Sequence, residues 1–281
     1  MQSFFPIFAA MEIELEHFEQ ALEAVMTSDV VPMDAMMRYV TSVPGKRLRP
    51  QLVFLSARLF GEVNDITRRT ALFVEMFHTA TLIHDDVVDG ADTRRGQASL
   101  NARCDSRSAV LAGDFLLAKA LAQLSHPEDH PILEEMLKVA MLMSEGELLQ
   151  SAPQGQKSLS PGQHPGSEGQ RPGEDEEYYL KIIERKTARL IRACCVGGVM
   201  SVNGKSDLMG DFGLNLGLVF QMRDDILDND DPATTALAQR LLPAYLDKAL
   251  KNLDALTPYI VDKDAQNSLR DLTLFCAERN H

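Results

Sequence analysis

Apolar residues recur at three- and four-residue spacing along nearly the whole 281-residue chain. This helical period predicts helices over residues 11–26, 48–60, 67–90, 106–124, 131–150, 176–201, 206–229, 233–256 and 264–279. No window shows the sustained alternation that is typical of strands joined by hairpin turns. Segments 71–84 and 212–227 are apolar on more than one face, as helices in the middle of a bundle are. The sequence therefore predicts an all-α fold.

One polar stretch interrupts this pattern. Residues 151–175 hold four prolines and five glycines, and Leu159 is their one large aliphatic residue. Such a composition buries too little apolar surface to order itself, so we predict a mobile loop. A linker between two domains is the alternative. We prefer a loop within one domain, residues 1–281, because the motifs on either side of the stretch suit a single site.

Charge and cysteine content narrow the function classes. The chain has 28 basic and 41 acidic residues, and its net charge of −13 argues against nonspecific nucleic-acid binding. Its four cysteines form no CxxC pair, which indicates neither a disulfide framework nor a zinc site. We therefore expect a reduced, cytoplasmic location. No uncharged apolar run reaches the length of a membrane span, so no transmembrane segment is predicted.

The first aspartate motif lies in LIHDDVVDGADTRRG, residues 82–96. On a helix, Asp85 and Asp89 lie about 40° apart on one face. Two carboxylates one turn apart repel each other unless a cation lies between them. Magnesium suits that position, because it binds a few carboxylates together with substrate phosphates. A solvated acidic helix end is the alternative for one such motif, although this cluster, which includes Asp86, ends an apolar helix.

Two arginines follow the first motif. Arg94 and Arg95 lie within ten residues of Asp85. The planar guanidinium fork of arginine matches phosphate oxygens, so both side chains are candidate anion ligands. Pairing with the neighbouring aspartates is an equally open alternative.

The second aspartate motif is FQMRDDILD, residues 220–228. Asp224, Asp225 and Asp228 repeat the spacing of the first motif, and Gln221 precedes them by one turn. Upstream, glycines at positions 210, 213 and 217 form a stripe that indicates close approach of another helix. Two such motifs facing each other across a bundle would grip one diphosphate through shared metals.

Basic residues elsewhere are candidates for a second anion site. Lys46 and Arg49 lie in PGKRLRP before an apolar helix, and Lys186 lies in ERKTARL. His78 lies two turns before Asp85 on the same helical face. Each has an ordinary alternative, since a short basic run is usually a solvated helix start and a lone histidine usually belongs to the core.

Six motifs together resemble the trans-prenyltransferase family, the polyprenyl diphosphate synthases. They are GKRLRP, HTATLIHDDVVDGADTRRG, GDFLLA, SEGELLQ, ERKTARL and FQMRDDILD, and they occur in that family's order over roughly residues 40–230. The resemblance implies an all-α bundle around a deep cavity and a homodimer. It also implies condensation of isopentenyl diphosphate with an allylic prenyl diphosphate.

The resemblance further implies a role for each matched residue. Three magnesium ions would be bound by Asp85, Asp86, Asp89, Asp224, Asp225 and Asp228. The diphosphate of isopentenyl diphosphate would be bound by Lys46, Arg49, His78 and Arg95. The allylic diphosphate would be contacted by Arg94, Lys186 and Gln221, with Thr187 beside the reacting carbon and Gln150 near the allylic substrate. Lys186, Thr187 and Gln221 are the predicted catalytic residues.

Product length in this family depends on residues upstream of the first motif. Ala80 and Thr81, five and four residues before Asp85, are small, so a long hydrocarbon tail can pass. We therefore expect a product of four or more isoprene units. Phe77 is large enough to close the tunnel further down, and packing in the core is its alternative role.

The sequence departs from the family in two places. The polar stretch at 151–175 is longer than the family's usual connection, and the lysine-containing segment expected after Asp228 is missing. Two other functions follow as alternatives. A non-catalytic prenyl-diphosphate-binding subunit agrees with the missing lysine but not with six retained aspartates. A terpene cyclase would need an aromatic-lined pocket, whereas this chain has no tryptophan.

Overall fold

The computed structural model describes residues 11–42, 45–151 and 174–279. Helices dominate these residues, which confirms the all-α prediction. The helices are α1 (Glu12–Val25), α2 (Val31–Thr41), α3 (Leu48–Arg58), α4 (Asp65–Val88), α5 (Leu100–Arg103), α6 (Ser106–Gln123), α7 (His130–Ser151), α8 (Glu174–Ile183), α9 (Arg189–Ser201), α10 (Ser206–Asp228), α11 (Pro232–Ala255) and α12 (Lys263–Glu278). Short 3-10 turns lie at Pro127–Asp129 and Thr257–Tyr259.

Four local features were not predicted. Helices α2 and α5 were missed altogether, and a short hairpin pairs β1 (Thr93–Arg94) with β2 (Gln97–Ala98) in antiparallel register. A π-helical turn, Glu184–Ala188, separates α8 from α9 inside a segment predicted to be one helix. The loop predicted at 151–175 lies outside the described residues except at its two ends.

The contacts divide the chain into two compact units. Unit 1 comprises Met1–Leu133 with Gly197–Gly204, and unit 2 comprises Glu134–Val196 with Lys205–His281. Over the described ranges, no single helix is long and apolar enough to cross a membrane, although the bent pair Ser106–Gln123 and Pro127–Ser151 together meets the length and composition criteria.

Unit 1 is built around α4, which is buried without a break from Thr70 to Phe77. Asn64 caps the helix by accepting from the backbone of Thr67, and its amide donates to the carbonyl of Ser201 at 2.8 Å. A Cβ at Gly113 of α6 would lie 2.3 Å from the His84 ring, so glycine permits α6 to approach α4 closely. At the other end, Gly90 adopts φ +62° and ends the helix directly after the first aspartate motif.

Unit 2 is built around α10, which packs against α11, α12 and the π-helical turn. The predicted glycine stripe lies against this turn and against α9, which follows it. A Cβ at Gly213 would lie 2.9 Å from the Cα of Arg192, and one at Gly217 would lie 2.5 Å from the Cα of Ala188. The prediction of close helix approach is confirmed, and this approach sets Lys186 and Thr187 beside α10.

Adding a methyl group at Gly217 should therefore destabilise the protein. We expect Gly217→Ala to lower the free energy of unfolding by about 1–3 kcal/mol, because a backbone atom must move to make room. Gly210→Ala is the matched control, since its Cβ would meet only the flexible side chain of Arg192 at 3.3 Å. Removing a helical glycine there should cost nothing or stabilise by up to about 1 kcal/mol. Urea denaturation followed by circular dichroism compares the two, and equal effects would contradict this account.

Candidate active site

The three aspartates of the first motif lie in different surroundings. Helix geometry places Asp85 and Asp89 on one face of α4 with His78, whereas Asp86 lies about 100° away from Asp85. The carboxylate of Asp86 is buried and accepts from Nε of Arg94 at 2.8 Å, and Nη2 of the same arginine also contacts it. Arg94 therefore forms the predicted pair with a neighbouring aspartate, and its contact with a diphosphate stays a prediction. A metal-binding role for Asp86 stays a prediction.

Positive charges converge on His78 in unit 1. Burial holds the pKa of His78 well below its ordinary value, and the nearby charges of Arg49, Arg95 and Arg94 lower it further. His78 is therefore neutral at physiological pH. The structure thus brings together three of the four side chains predicted to bind one diphosphate, and the fourth, Lys46, is exposed three residues before Arg49.

The lowered pKa of His78 predicts that the stability of the fold depends on pH. Below its ordinary value of 6.5, the unfolded chain binds a proton at His78 that the folded chain does not. Stability should therefore fall as the pH decreases from about 6.5 towards the lowered folded pKa, by up to about 1.4 kcal/mol per pH unit. His78→Gln should remove this slope, measured by urea unfolding at several pH values. The exposed His17→Gln variant is the control, and an unchanged slope in His78→Gln would refute the assignment.

Arg47, a residue without a predicted role, fixes the basic segment. It adopts φ +50° directly before α3, a conformation that costs energy for a residue other than glycine. Its Nε donates to Glu19 at 2.6 Å and its Nη1 donates to the buried Glu75 at 2.7 Å. Arg47 thereby ties Lys46 and Arg49 to α1 and α4. Nothing in the local sequence distinguishes it from the other basic residues of GKRLRP.

The residues predicted to set product length lie on the same helix. Ala80 is buried, and Thr81 is half-buried and donates to the carbonyl of His78 at 2.8 Å. Phe77 is buried and stacks on Phe73, with ring centroids 5.6 Å apart and an interplanar angle of 8°. The contacts of Phe77 are those of a core residue, which was its alternative role.

Unit 1 also contains a pocket that the sequence did not predict. Its apolar lining includes Leu22, Met76 and Ile83, and Asp86 and Arg94 contribute charged groups. Met76 and Ile83 lie on the side of α4 away from Asp85. Arg95 also lines this pocket, so the pocket adjoins the basic residues around His78.

In unit 2, the π-helical turn presents two predicted catalytic side chains. Such turns are frequent at functional sites because they displace side chains from regular helical positions. Nζ of Lys186 donates to Gln150 Oε1 and contacts Glu147 Oε2, both at 2.8 Å. Thr187 Oγ1 donates to Gln221 Oε1 at 2.6 Å. The four residues predicted in this region thus form two hydrogen-bonded pairs on neighbouring residues. The contact of Glu147 with Lys186 was not predicted.

A chain of hydrogen bonds leads from Thr187 into the second aspartate motif. Gln221 Nε2 donates to Asp225 Oδ1 at 2.9 Å, and the hydroxyl of Tyr179 donates to Asp225 Oδ2 at 2.6 Å. Burial raises the pKa of Asp225, although these hydrogen bonds favour its charged form. The same burial and the charge of Asp225 raise the pKa of Tyr179. Tyr179 was not predicted, because it lies 46 residues before its partner.

The other two aspartates of this motif differ from Asp225. Asp228 is the exposed last residue of α10, and Asn229 after it has φ +51°. Asp224 is half-buried and forms an ion pair with Arg279, a residue that follows α12. Among the described residues, no group of three or more acidic, histidine or cysteine side chains is arranged to hold a metal alone. A site with one or two carboxylates suits a magnesium ion, because magnesium takes its remaining ligands from water and substrate phosphate.

Comparison with known proteins identifies the family. Residues 31–236 match the polyprenyl synthetase family. This chain belongs to that family. The match covers most of the chain and both aspartate motifs, so the resemblance inferred from the six motifs is confirmed.

Named relatives of similar sequence support this family assignment. The chain is 34% identical over 206 residues to the octaprenyl diphosphate synthase of Escherichia coli, covering 72% of this chain and 59% of that protein. It is 33% identical over 263 residues to a prenyl transferase of Synechocystis, covering 92% and 76% respectively. The matched region of the chain thus spans about three-fifths of the length of the octaprenyl diphosphate synthase and about three-quarters of the length of the Synechocystis prenyl transferase.

Structural similarity extends over nearly the whole chain. A polyprenyl synthase from Caulobacter crescentus, solved with calcium and isoprenyl diphosphate, has a TM-score of 0.79 and 28% identity, covering 98% of this chain and 97% of that one. A decaprenyl diphosphate synthase from Rhodobacter capsulatus has a TM-score of 0.81 at 23% identity, covering 98% of each chain, and supports the fold alone.

Proposed function

We propose that this chain is a head-to-tail trans-prenyltransferase. It condenses isopentenyl diphosphate with an allylic prenyl diphosphate and makes a product of 20 or more carbons. One observation carries the proposal: Arg95 lies against the basic segment, where a Cβ at Gly45 would lie 2.9 Å from its Nη1, and the charges of Arg49 and Arg95 act on His78, on the face of α4 that also carries Asp85. An anion site beside metal-binding carboxylates is what a diphosphate substrate requires.

The residues of unit 1 hold the nucleophilic substrate. Lys46, Arg49 and Arg95 neutralise the diphosphate of isopentenyl diphosphate, and the neutral ring of His78 donates a hydrogen bond to it. Fixing the diphosphate orients the double bond for attack, which converts a bimolecular step into a positioned one. Arg47 keeps the basic segment in place.

Other residues act on the allylic substrate. Lys186 and Gln221 contact its diphosphate, together with Arg94, and Gln150 and Thr187 lie beside its reacting end. The aspartates of the two motifs would hold magnesium, for which we propose three ions, and the metal would supply positive charge that stabilises the departing diphosphate. The allylic C–O bond breaks, the double bond of isopentenyl diphosphate attacks the carbocation, and the departed diphosphate takes the proton. Apolar surroundings protect the cation from water.

The proposal extends to the product and the setting of the enzyme. Small residues at Ala80 and Thr81 leave room for a long tail, and a relative named octaprenyl diphosphate synthase agrees with a product of this class. We propose that residues 1–281 work as one catalytic domain in the cytoplasm.

An elongation assay tests this function directly. The purified chain is incubated with Mg²⁺, labelled isopentenyl diphosphate and an allylic primer, and the products are separated by length. Elongation beyond 15 carbons is expected. A cyclic hydrocarbon would instead indicate a terpene cyclase, and binding without turnover would indicate a non-catalytic subunit.

We propose in addition that two copies of the chain associate. Helix α7 exposes Leu137, Met141 and Leu148, which are 45%, 62% and 72% accessible and recur along one side of the helix. Helix α6 exposes Val110 and Leu111. Large exposed apolar side chains in such rows are typical of subunit interfaces.

A charged side chain in the exposed apolar row of α7 should prevent the two copies from associating. We expect Met141→Lys to convert a dimer to a monomer, because pairing would bury the new charge. Light scattering after size-exclusion chromatography measures the mass. Ile13→Lys is the matched control, since Ile13 is 67% exposed on α1. A Met141→Lys dimer, or a monomeric parent chain, would contradict the proposal.

A further inference from the structure

Arg279 lies against the turn of α10 that begins the second aspartate motif. Its Nη2 donates to the carboxylate of Asp224 and, at 3.2 Å, to the carbonyl of Phe220. Its Cζ lies 4.2 Å from the centroid of the Phe220 ring. Nε of Arg223 donates to the carbonyl of Arg279 at 2.7 Å. One helical turn therefore holds both the backbone and the guanidinium of Arg279.

The guanidinium is buried, and part of its hydrogen-bonding capacity is unused. The side chain of Arg279 is 8% exposed, against 32% for Asp224. Its Nε is buried and has no hydrogen-bond partner within the part of the chain that the structure describes. A buried donor without an acceptor costs free energy, so this nitrogen points to an acceptor that the described residues do not supply.

We infer that Arg279 makes metal binding at Asp224 depend on the diphosphate. A guanidinium beside the carboxylate repels a divalent cation that arrives alone. A diphosphate reverses this effect, because its negative charge attracts both cations and its oxygens match the guanidinium donors, including Nε. The described carboxylates form no three-ligand metal group, which agrees with phosphate oxygens completing the coordination.

This inference rests on the proposed function and deepens it. The family resemblance implies a lysine after Asp228 that contacts the allylic diphosphate, and this sequence lacks that segment. Arg279 brings a permanent positive charge to the same motif from a different part of the chain. It acts as a positioning residue for Asp224 and as a ligand of the diphosphate that arrives with the metal.

Two binding measurements on Arg279→Gln test the inference, and their expected changes have opposite signs. Mn²⁺ alone, followed by the electron paramagnetic resonance of the free ion, should bind Arg279→Gln on the order of tenfold more tightly than the natural protein. Labelled inorganic pyrophosphate with saturating Mg²⁺ should bind the variant on the order of tenfold more weakly. The gain for Mn²⁺ should vanish when Asp224→Asn is added, which assigns it to this motif.

Controls separate the charge of Arg279 from its packing. Arg270→Gln is the matched variant, because Arg270 lies on α12 and pairs with Asp254, away from both motifs; it should match the natural protein in both measurements. Arg279→Lys keeps the charge and should bind Mn²⁺ within about twofold of the natural protein. It also serves as the test if circular dichroism shows that Arg279→Gln is unfolded.

Several results would overturn the inference. Unchanged binding of both probes to Arg279→Gln, or weaker binding of both, would show that Arg279 only supports the fold. Mn²⁺ binding to Arg279→Lys as tight as that expected for Arg279→Gln would show that its charge is not the cause. A natural protein that binds no pyrophosphate with Mg²⁺ would instead contradict the proposed function.

Discussion

Replacing Asp85 with alanine is expected to lower turnover by about a thousandfold or more while the protein stays folded. Asp85 lies at the end of α4 on the face of His78, where a carboxylate repels its neighbour at Asp89 until a cation binds between them. Losing a ligand that stabilises charge in the transition state costs rate far more than it costs folding. Asp224→Ala is expected to have an effect of the same order.

The measurement is single-turnover elongation at saturating Mg²⁺, with circular dichroism to verify the fold. Asp92→Ala is the matched control, because Asp92 is an exposed acid three residues after Asp89. Near-normal turnover of Asp85→Ala would remove the metal-binding account of the first motif.

Asp86 is expected to act differently from Asp85. Its buried carboxylate pairs with Arg94, so Asp86→Asn should impair the enzyme by releasing that arginine. Arg94→Gln should then cause a similar loss, and the double variant should lose little more than either single one. Additive losses would show that Asp86 binds the metal itself, as its position in the motif first suggested.

The helices were predictable from the sequence because their signal is local. Apolar spacing fixes the buried face of each helix, and the i, i+4 spacing of Asp85 and Asp89 fixes their common face before any tertiary contact is known. The π-helical turn was not predictable in this way. Its last residue, Ala188, lies against Gly217, and a contact between residues this far apart in sequence leaves no local signal.

The partners of the site residues were predictable only in part. The pairing of Arg94 with Asp86 lies within eight residues, and it was one of two open alternatives. Tyr179 and Arg279 reach the second motif across 46 and 55 residues, and neither belongs to a charged pattern of its own. Their roles depend on how α8 and α12 pack against α10, which spacing along the chain does not encode.

Enlarging Thr81 is expected to shorten the product. Thr81 lies one turn before Asp85 on the same helical face and is half-buried, so a phenylalanine there would occupy the path of the growing tail. Each isoprene unit adds five carbons, and growth stops once the tail meets the new ring. We expect Thr81→Phe to make products of 15 to 20 carbons in place of the parent's longer ones, measured by chromatography of the hydrolysed products.

Variants at Thr79 and Phe77 show whether the shortening comes from blocking the path of the tail or from disturbing the core. Thr79→Phe is the matched control: Thr79 is also half-buried and bonded to a helix carbonyl at 2.8 Å, but it points about 160° away from Thr81. Its product length should not change. Phe77→Ala should cost about 3–5 kcal/mol of stability, because it breaks the stack on Phe73, and should leave the product unchanged. Longer products from Phe77→Ala would mean that the tail reaches Phe77, and the floor of the tunnel would then lie two turns below Asp85.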